Sequence, residues 1–304
     1  MRVLLTGAQG FAGRYVSREL EEHGHTLFKF LHHEPESPDK NIFTGDLKDQ
    51  ATLTKIVHDL KPDACIHLAG IALVPLGWEN PHRIFEVNTL GTIHLLEAFR
   101  HAHKEARILI ITSSEVYGRE PRETPLKEDA AMRPSNLYAM SKVAADRSAL
   151  LYAERYNMPI MTARPQNHIG PGQSSHFVTT SFAKQLLAIA NGEGDPVLKV
   201  GNLENKRNFL DVRDVARAYR LLIENGTPGE AYNIASHHIV SIKHIVEQLC
   251  ELTDIDPLIE IDPERYRPTD NPPILDAEKI KDHIKWIPEI PLFDSLKTLV
   301  NHLR

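Results

Sequence analysis

Tyr138 and Lys142 stand four residues apart in the stretch Tyr138-Ala139-Met140-Ser141-Lys142, which reads as helical. On a helix, positions i and i+4 share a face. An ammonium held there would stabilise phenolate, lower the tyrosine pKa and turn a weak acid into a proton shuttle near neutral pH. The competing reading is an exposed helical lysine beside a half-buried tyrosine. Two further stretches favour chemistry: a hydroxyl cluster, Thr112-Ser113-Ser114, after an apolar run, and a glycine turn at Gly7, Gly10 and Gly13.

Those glycines would let backbone pass close to a pyrophosphate, whose charge is met by amides at a helix N-terminus. The spacing Gly-x-x-Gly-x-x-Gly differs from the commoner dinucleotide fingerprint and also suits a simple turn; its place directly after a buried strand favours a dinucleotide. An acid that would grip an adenosine 2′-hydroxyl is expected where the second strand ends, and Leu31 stands there, followed by His32 and His33. No carboxylate opposes a 2′-phosphate at that point, which predicts NADP rather than NAD, although Glu34 is near enough to intervene. Asp46 could accept from an adenine amino group or simply close a turn at a strand end. The small residues of Leu68-Ala69-Gly70 would let a cofactor approach or serve packing alone.

These groups need a scaffold, and the chain alternates strand and helix. Strands are predicted at Arg2 to Thr6, His25 to Leu31, an edge ending at Gly45-Asp46-Leu47, Asp63 to His67, Arg107 to Ile111 and Ile160 to Ala163. Helices are predicted from Gly13 to about Gly24, Gln50 to Leu60, Pro81 to Ala102 and Pro134 to Tyr156, with Pro134 in the first turn. The fold class is α/β, a Rossmann-type doubly wound parallel sheet with a smaller α+β substrate lobe. After Arg164, loops thicken and helices at Val178 to Ala190, Val212 to Glu224 and Ser241 to Thr253 alternate with short strands. The nucleotide domain is expected over 1–163 and 211–234, the substrate lobe over 164–210 and 235–304.

A net charge of −6 over 304 residues leaves no electrostatic footprint for nucleic acid or an anionic membrane, so phosphate binding must be local. Cys65 and Cys250 lack metal or redox spacing and predict reduced thiols in a cytoplasmic protein. The N-terminus enters a strand at once, leaving no room for a signal peptide, and no later run is long enough to span a membrane. Histidine pairs such as His32-His33, His101/His103 and His237-His238 lack zinc-ligand spacing, so no metal is expected.

Gly7/Gly10/Gly13, Asp46-Leu47, His67-Leu68-Ala69-Gly70, Asn88-Thr89-Leu90-Gly91-Thr92, Ser113-Ser114-Glu115-Val116-Tyr117-Gly118, Tyr138/Lys142 and Arg164-Pro165 together resemble an extended short-chain dehydrogenase/reductase over nearly the whole chain. The resemblance implies that Ser113 bonds the reacting oxygen, Tyr138 carries the proton and Lys142 also holds the nicotinamide ribose. It implies cofactor contacts from Gly7, Gln9, Gly10, Phe11, Gly13, His32, Asp46, Leu47, Leu68, Ala69, Gly70, Asn88 and Arg164. A homodimer through the helices near Asn88 to Ala102 and Pro134 to Tyr156 is implied as well.

The second half resembles the GDP-sugar branch through Asn167 to Gln173, Phe177-Val178-Thr179, Val200 to Glu204, Lys206-Arg207 and Arg267-Pro268-Thr269-Asp270. Arg207 and Arg267 offer bidentate forks for a diphosphate, or else surface ion pairs with Asp211 and Asp270. The implied substrate set is Ser114, Asn167, Phe177, Val178, Lys184, Asn202, Leu203, Arg207, Arg267 and Asp270. Asp270 falls where the branch has Glu, Gln166 where it has Phe, and Asn208 where it has Asp. The implied activity is NADPH-dependent reduction of the 4-keto group of a GDP-4-keto-6-deoxyhexose, giving GDP-D-rhamnose or its talose epimer. A 4,6-dehydratase using Glu115 as base, a 4-epimerase, and a non-catalytic NADP-binding sensor remain alternatives. Glu115 itself reads equally as a structural carboxylate.

Overall fold

The computed structural model describes residues 1–35, 39–119, 125–236, 238–266 and 272–304. Ser37, Pro38, His237 and the stretch from Arg267 to Asp270 lie outside the described residues.

In chain order the first half runs β1 (Arg2–Thr6), α1 (Phe11–Glu22), β2 (Thr26–Leu31), β3 (Ile42–Thr44), α2 (Gln50–Leu60), β4 (Ala64–His67), α3 (Val74–Glu79), α4 (Pro81–Phe85), a π-helical turn (Glu86–Leu90), α5 (Gly91–Ala102) and β5 (Arg107–Ile111). A 3₁₀ turn (Ser114–Tyr117), α6 (Leu137–Tyr156), β6 (Ile160–Pro165), β7 (Asn167–Ile169), α7 (Val178–Ala190), β8 (Val197–Val200), β9 (Lys206–Asp211), α8 (Val212–Asn225) and β10 (Ala231–Ile234) follow. The chain ends with β11 (Ile239–Ser241), α9 (Ile242–Thr253), β12 (Leu258–Ile261), α10 (Glu278–Ile284) and α11 (Leu292–Leu303).

Seven parallel strands form the main sheet in the order β10-β6-β5-β4-β1-β2-β3. Strand order reverses between β1 and β4, and a crevice opens there at the carboxyl ends of the strands. Strands β4 and β5 read as nearly continuous apolar runs because helices cover both faces of the sheet. Helix α1 buries Gly13, Val16, Ser17 and Leu20, one stripe at helical spacing, and packs with α8 on one face; α2 and α5 cover the other. A smaller lobe carries its own core, in which Leu186 of α7, Ile245 and Leu249 of α9 and Leu299 of α11 are fully buried. There β9 pairs with β7 in parallel and with β11 antiparallel, while β12 pairs with β8.

Two helix predictions are corrected. The single helix expected from Pro81 to Ala102 is interrupted by the π-helical turn, whose extra residue turns the Asn88 side chain inward. There Asn88 Oδ1 accepts from Ile71 N at 2.8 Å, and Nδ2 donates to Ile71 O and Ser141 Oγ at 3.0 Å each. Helix α6 starts at Leu137, leaving Pro134 outside it; Asn136 caps it by accepting from Ala139 N at 2.8 Å.

Candidate active site

Strand β5 ends beside the first turn of α6, which brings Ser113 and Tyr138 together. Ser113 caps the 3₁₀ turn, its Oγ accepting from Glu115 N at 3.2 Å, and its hydroxyl acts on the neighbouring Tyr138 phenol. Burial pushes the Tyr138 pKa up to about 12; the neighbouring Ser113 hydroxyl opposes this and the Glu115 charge adds to it. Lys142 Nζ donates to Ile111 O at 3.0 Å, and burial lowers its pKa to about 8. The expected lowering of the tyrosine pKa by Lys142 is therefore not seen. The i,i+4 spacing places both residues on one face, but the lysine stem runs to the carbonyl at the end of β5. Tyr138 stands as a neutral acid with a proton to give.

Lys142 also carries a stability signature. Its folded pKa of about 8 lies below the usual 10.5, so burying the ammonium opposes folding in full below pH 8. That penalty disappears as pH rises from about 8 to 10.5, where the unfolded chain binds more protons. Lys142→Met is expected to raise Tm at pH 7 by about 2 °C or more. The gain over the parent should shrink towards pH 10 in thermal scans, while turnover and cofactor binding both fall. A lower Tm at pH 7 with activity intact would make Lys142 an ordinary helix residue.

Glu115 is engaged. Both carboxylate oxygens accept from Arg119 Nη2 at 3.0 Å, and Asn136 Nδ2 lies 3.4 Å from Oε2. Beneath the trio, Arg164 Nε and Nη2 fork onto Asp146 at 2.9 and 2.8 Å, while Nη1 donates to Tyr117 Oη and Glu128 O at 2.7 Å each. Arg164 was expected at the cofactor and instead sits below the site, 1% exposed, with its donors committed. Thr112 Oγ1 donates to the same Asp146 carboxylate at 3.1 Å, so the ion pair anchors the residue preceding Ser113 to α6.

His67 links the glycine turn to the π-helical turn. Thr92 Oγ1 donates to Asn88 O and must therefore accept from His67 Nε2–H at 3.1 Å. Nδ1 then accepts from Thr6 Oγ1 at 2.7 Å, and that oxygen accepts from Ala69 N at 3.2 Å. Burial, with Lys142 adding to it, lowers the His67 pKa to about 3 and keeps the ring neutral. From the sequence His67 enters only as part of the run His67-Leu68-Ala69-Gly70, and Asp146 not at all, since each resembles an ordinary core or helix residue until its partners are in place.

A cleft of about 590 Å³ opens at the switch point, lined among others by Gly7, Gln9, Gly10, His32, Asp46, Leu47, Leu68, Ala69 and Gly70. Gly7 has φ +73°, and a Cβ there would lie 2.7 Å from Ala69 N; no side chain caps α1 at Gly10. These features suit a pyrophosphate pressed against backbone amides. Gly13 lies behind the turn, where a Cβ would meet Gly7 O at 2.1 Å, so its role is close helix–turn packing. A Cβ at Gly70 would lie 3.0 Å from Asn88 Oδ1 and 3.2 Å from Lys142 Nζ, which puts Lys142 at this end of the cleft. Asp46 closes a turn, Oδ1 accepting from Lys48 N at 2.9 Å, and also lines the cleft. Glu34 accepts from Thr44 Oγ1 at 3.1 Å, on the β3 side. His82 and Arg83 line the wall from α4 and were not anticipated, because nothing in their spacing marks them.

Of the substrate set, Ser114 opens the 3₁₀ turn, Asn167 opens β7, and Phe177 precedes Val178 and Lys184 of α7. Asn202 caps a bend by accepting from Glu204 N, and Leu203 packs on the core of the smaller lobe. Arg207 Nη1 donates to Lys206 O, and Asp211 is bound by Arg213 at 2.8 Å and by Ser295; among the described residues no Arg207–Asp211 ion pair is present. Buried Gln166 accepts from Ser236 N at 3.2 Å, and Asn208 Nδ2 donates to Ser236 O at 2.6 Å; these two departures from the branch pattern tie β6 and β9 to one loop.

A dinucleotide crevice at the switch point of a parallel sheet, with serine, tyrosine and lysine at one end, is the arrangement of the extended short-chain dehydrogenases/reductases. The chain belongs to the family described as GDP-mannose 4,6 dehydratase, whose model matches residues 4–299. It is 33% identical over 302 residues to the GDP-6-deoxy-D-mannose reductase of Pseudomonas aeruginosa, covering 99% of this chain and 96% of that relative. Identity to a Vibrio cholerae GDP-mannose 4,6-dehydratase is 25% over 347 residues, covering 98% and 92%. The structure of RMD from P. aeruginosa complexed with NADPH superposes with TM-score 0.87 at 31% identity, covering 100% of this chain and 99% of that one. A Thermus thermophilus UDP-glucose 4-epimerase complexed with NAD gives TM-score 0.88 at 26% identity, covering 100% and 99%. The protein is an NAD(P)-dependent, nucleotide-sugar-modifying enzyme.

Proposed function

We propose that the protein reduces the 4-keto group of a GDP-4-keto-6-deoxyhexose with NADPH, as the similarity to a GDP-6-deoxy-D-mannose reductase suggests. The bound cofactor supplies the hydride. Tyr138 holds a proton at Oη for the alkoxide that forms at C4, and Ser113 beside it offers its hydroxyl to the same oxygen. Such preorganised donors in a water-poor site are worth on the order of 10²-fold each in rate. Lys142, bound to the end of β5, retains N–H groups for a ribose hydroxyl at the Gly70 end of the cleft.

The observation that favours reductase over dehydratase is Glu115. A base for C5 needs a free carboxylate, whereas both oxygens here accept from Arg119. NADPH is favoured over NADH by Leu31 in place of an acid and by the engagement of Glu34 with Thr44. The protein is expected to consume NADPH stoichiometrically with GDP-4-keto-6-deoxymannose, to bind NADH on the order of tenfold more weakly, and to leave GDP-mannose with NADP⁺ unchanged. Mass spectrometry of both incubations, with NMR at C4 of the product, checks this. Loss of water from GDP-mannose without net cofactor consumption would overturn the reductase and make Glu115 the base.

A homodimer through the helices near α5 and α6 is supported by apolar residues exposed on α6 and on the turn before α5: Leu90 (46%), Met140 (47%) and Leu151 (54%). Leu151→Glu is expected to shift light scattering from dimer to monomer; a monomeric parent protein would remove this assembly.

A further inference from the structure

The cofactor turn and the sugar-side loop meet at one ring contact outside the catalytic trio. The His168 ring lies parallel to Phe11, with 9° between planes and 5.9 Å between centroids. Phe11 is the first residue of α1, directly after the glycine cap, and Tyr15 packs its edge on the same ring at 5.8 Å. Tyr15 Oη donates to Pro171 O at 2.9 Å and Arg14 Nη2 to Gly172 O at 3.4 Å. A Cβ at Gly170 would meet Val212 Cγ1 at 2.7 Å, so only glycine lets the loop lie this close. On its far side the loop is carried to α7: Gln173 Nε2 donates to His168 O at 2.8 Å, and Thr179 Oγ1 to Gln173 Oε1 at 3.3 Å.

Of the α1 residues that make this contact, Phe11 and Arg14 lie off the stripe that builds the main core, while Tyr15 also packs against that core. The His168 ring is oriented by Nδ1–H donating to Gln166 O at 3.2 Å, a bond that leucine of similar bulk would lack. Burial lowers the His168 pKa, so the ring stacks as a neutral imidazole.

We propose that Phe11 and His168 are positioning residues that couple cofactor binding to sugar-nucleotide binding. This rests on the function proposed above. A pyrophosphate drawn to the amides at the start of α1 fixes the Phe11 ring. The segment from Asn167 to Gln173, β7 and the loop after it, is seated on that ring and ordered with it, and the second ligand then meets a smaller ordering penalty. The coupling is reciprocal by linkage.

The test measures GDP binding by calorimetry without cofactor and at saturating NADP⁺. In the parent protein NADP⁺ is expected to tighten GDP binding by about 5- to 10-fold. His168→Ala should reduce that factor to about 2 or less, while His168→Phe, which keeps a stacked ring, should restore most of it. Tyr15→Phe removes one hydroxyl from the same contact with little change in packing and should lower the factor by about 2- to 5-fold. NADP⁺ affinity in the absence of GDP should stay within about twofold in all three variants, showing that the glycine turn is intact. An unchanged factor in His168→Ala and Tyr15→Phe, an equal loss in His168→Ala and His168→Phe, or no coupling in the parent overturns the proposal. Failure of the parent to bind NADP⁺ or GDP at all overturns the proposed function, and this proposal with it.

Discussion

Tyr138→Phe is expected to lower kcat by on the order of 10²-fold or more while leaving NADPH affinity within about twofold. The ring is 7% exposed and Phe has the same shape, so packing is kept and only the hydroxyl is lost. Ser113 retains its bond from Glu115 N, so the end of β5 should not shift. The pH profile separates the roles further. With its pKa near 12, Tyr138 stays protonated through pH 10, so the alkaline loss of parent activity should begin near pH 8, where Lys142 gives up its proton. Steady-state rates from pH 6 to 10, with fluorescence titration of NADPH, give both numbers. Near-parental turnover in Tyr138→Phe would remove it as proton donor.

Asp146→Ala should destabilise the protein by about 3–5 kcal/mol, because it leaves a buried guanidinium without its carboxylate. Side-chain exposure is 1% for Arg164 and 0% for Asp146. Burial works against the Arg164 charge, and the Asp146 bonds more than restore it, leaving its pKa above the usual arginine value. Without Asp146 that compensation is gone, and Thr112 Oγ1 loses one of its two acceptors. At about 2–4 °C per kcal/mol, Tm should drop by about 10 °C. The double replacement Asp146→Leu with Arg164→Met should recover part of the loss, since an apolar pair carries no unpaired charge. Urea and thermal unfolding of the single and double variants check this; a single-variant loss under about 1 kcal/mol would show that the pair is dispensable.

Local signals carried far. A buried strand followed by Gly7, Gly10 and Gly13 is legible because helix starts and close backbone approach depend on residues a few positions apart. The same holds for α2 and β5, whose bounds match those predicted, and for Tyr138 and Lys142 on one face of a helix. The Asn136 cap was there to be read as well, directly before the helical run, but Pro134 was the stronger-looking start.

What long-range contact decides stayed hidden. The π-helical turn forms because Asn88 finds the backbone of Ile71, and a helical pattern alone contains no such partner. Arg164 next to a proline looks free to reach a ligand, and only the packing of β6 against α6 delivers it to Asp146 instead. Lys142 lies one helical turn from Tyr138 in sequence, yet its charge goes to a strand 31 residues earlier in the chain. Sequence by itself determined the scaffold and the types of group at the site, because propensity, periodicity and turn chemistry are local. Tertiary structure decided which buried charge meets which partner, because the environment that sets a pKa or completes an ion pair is assembled from segments that only the fold brings together.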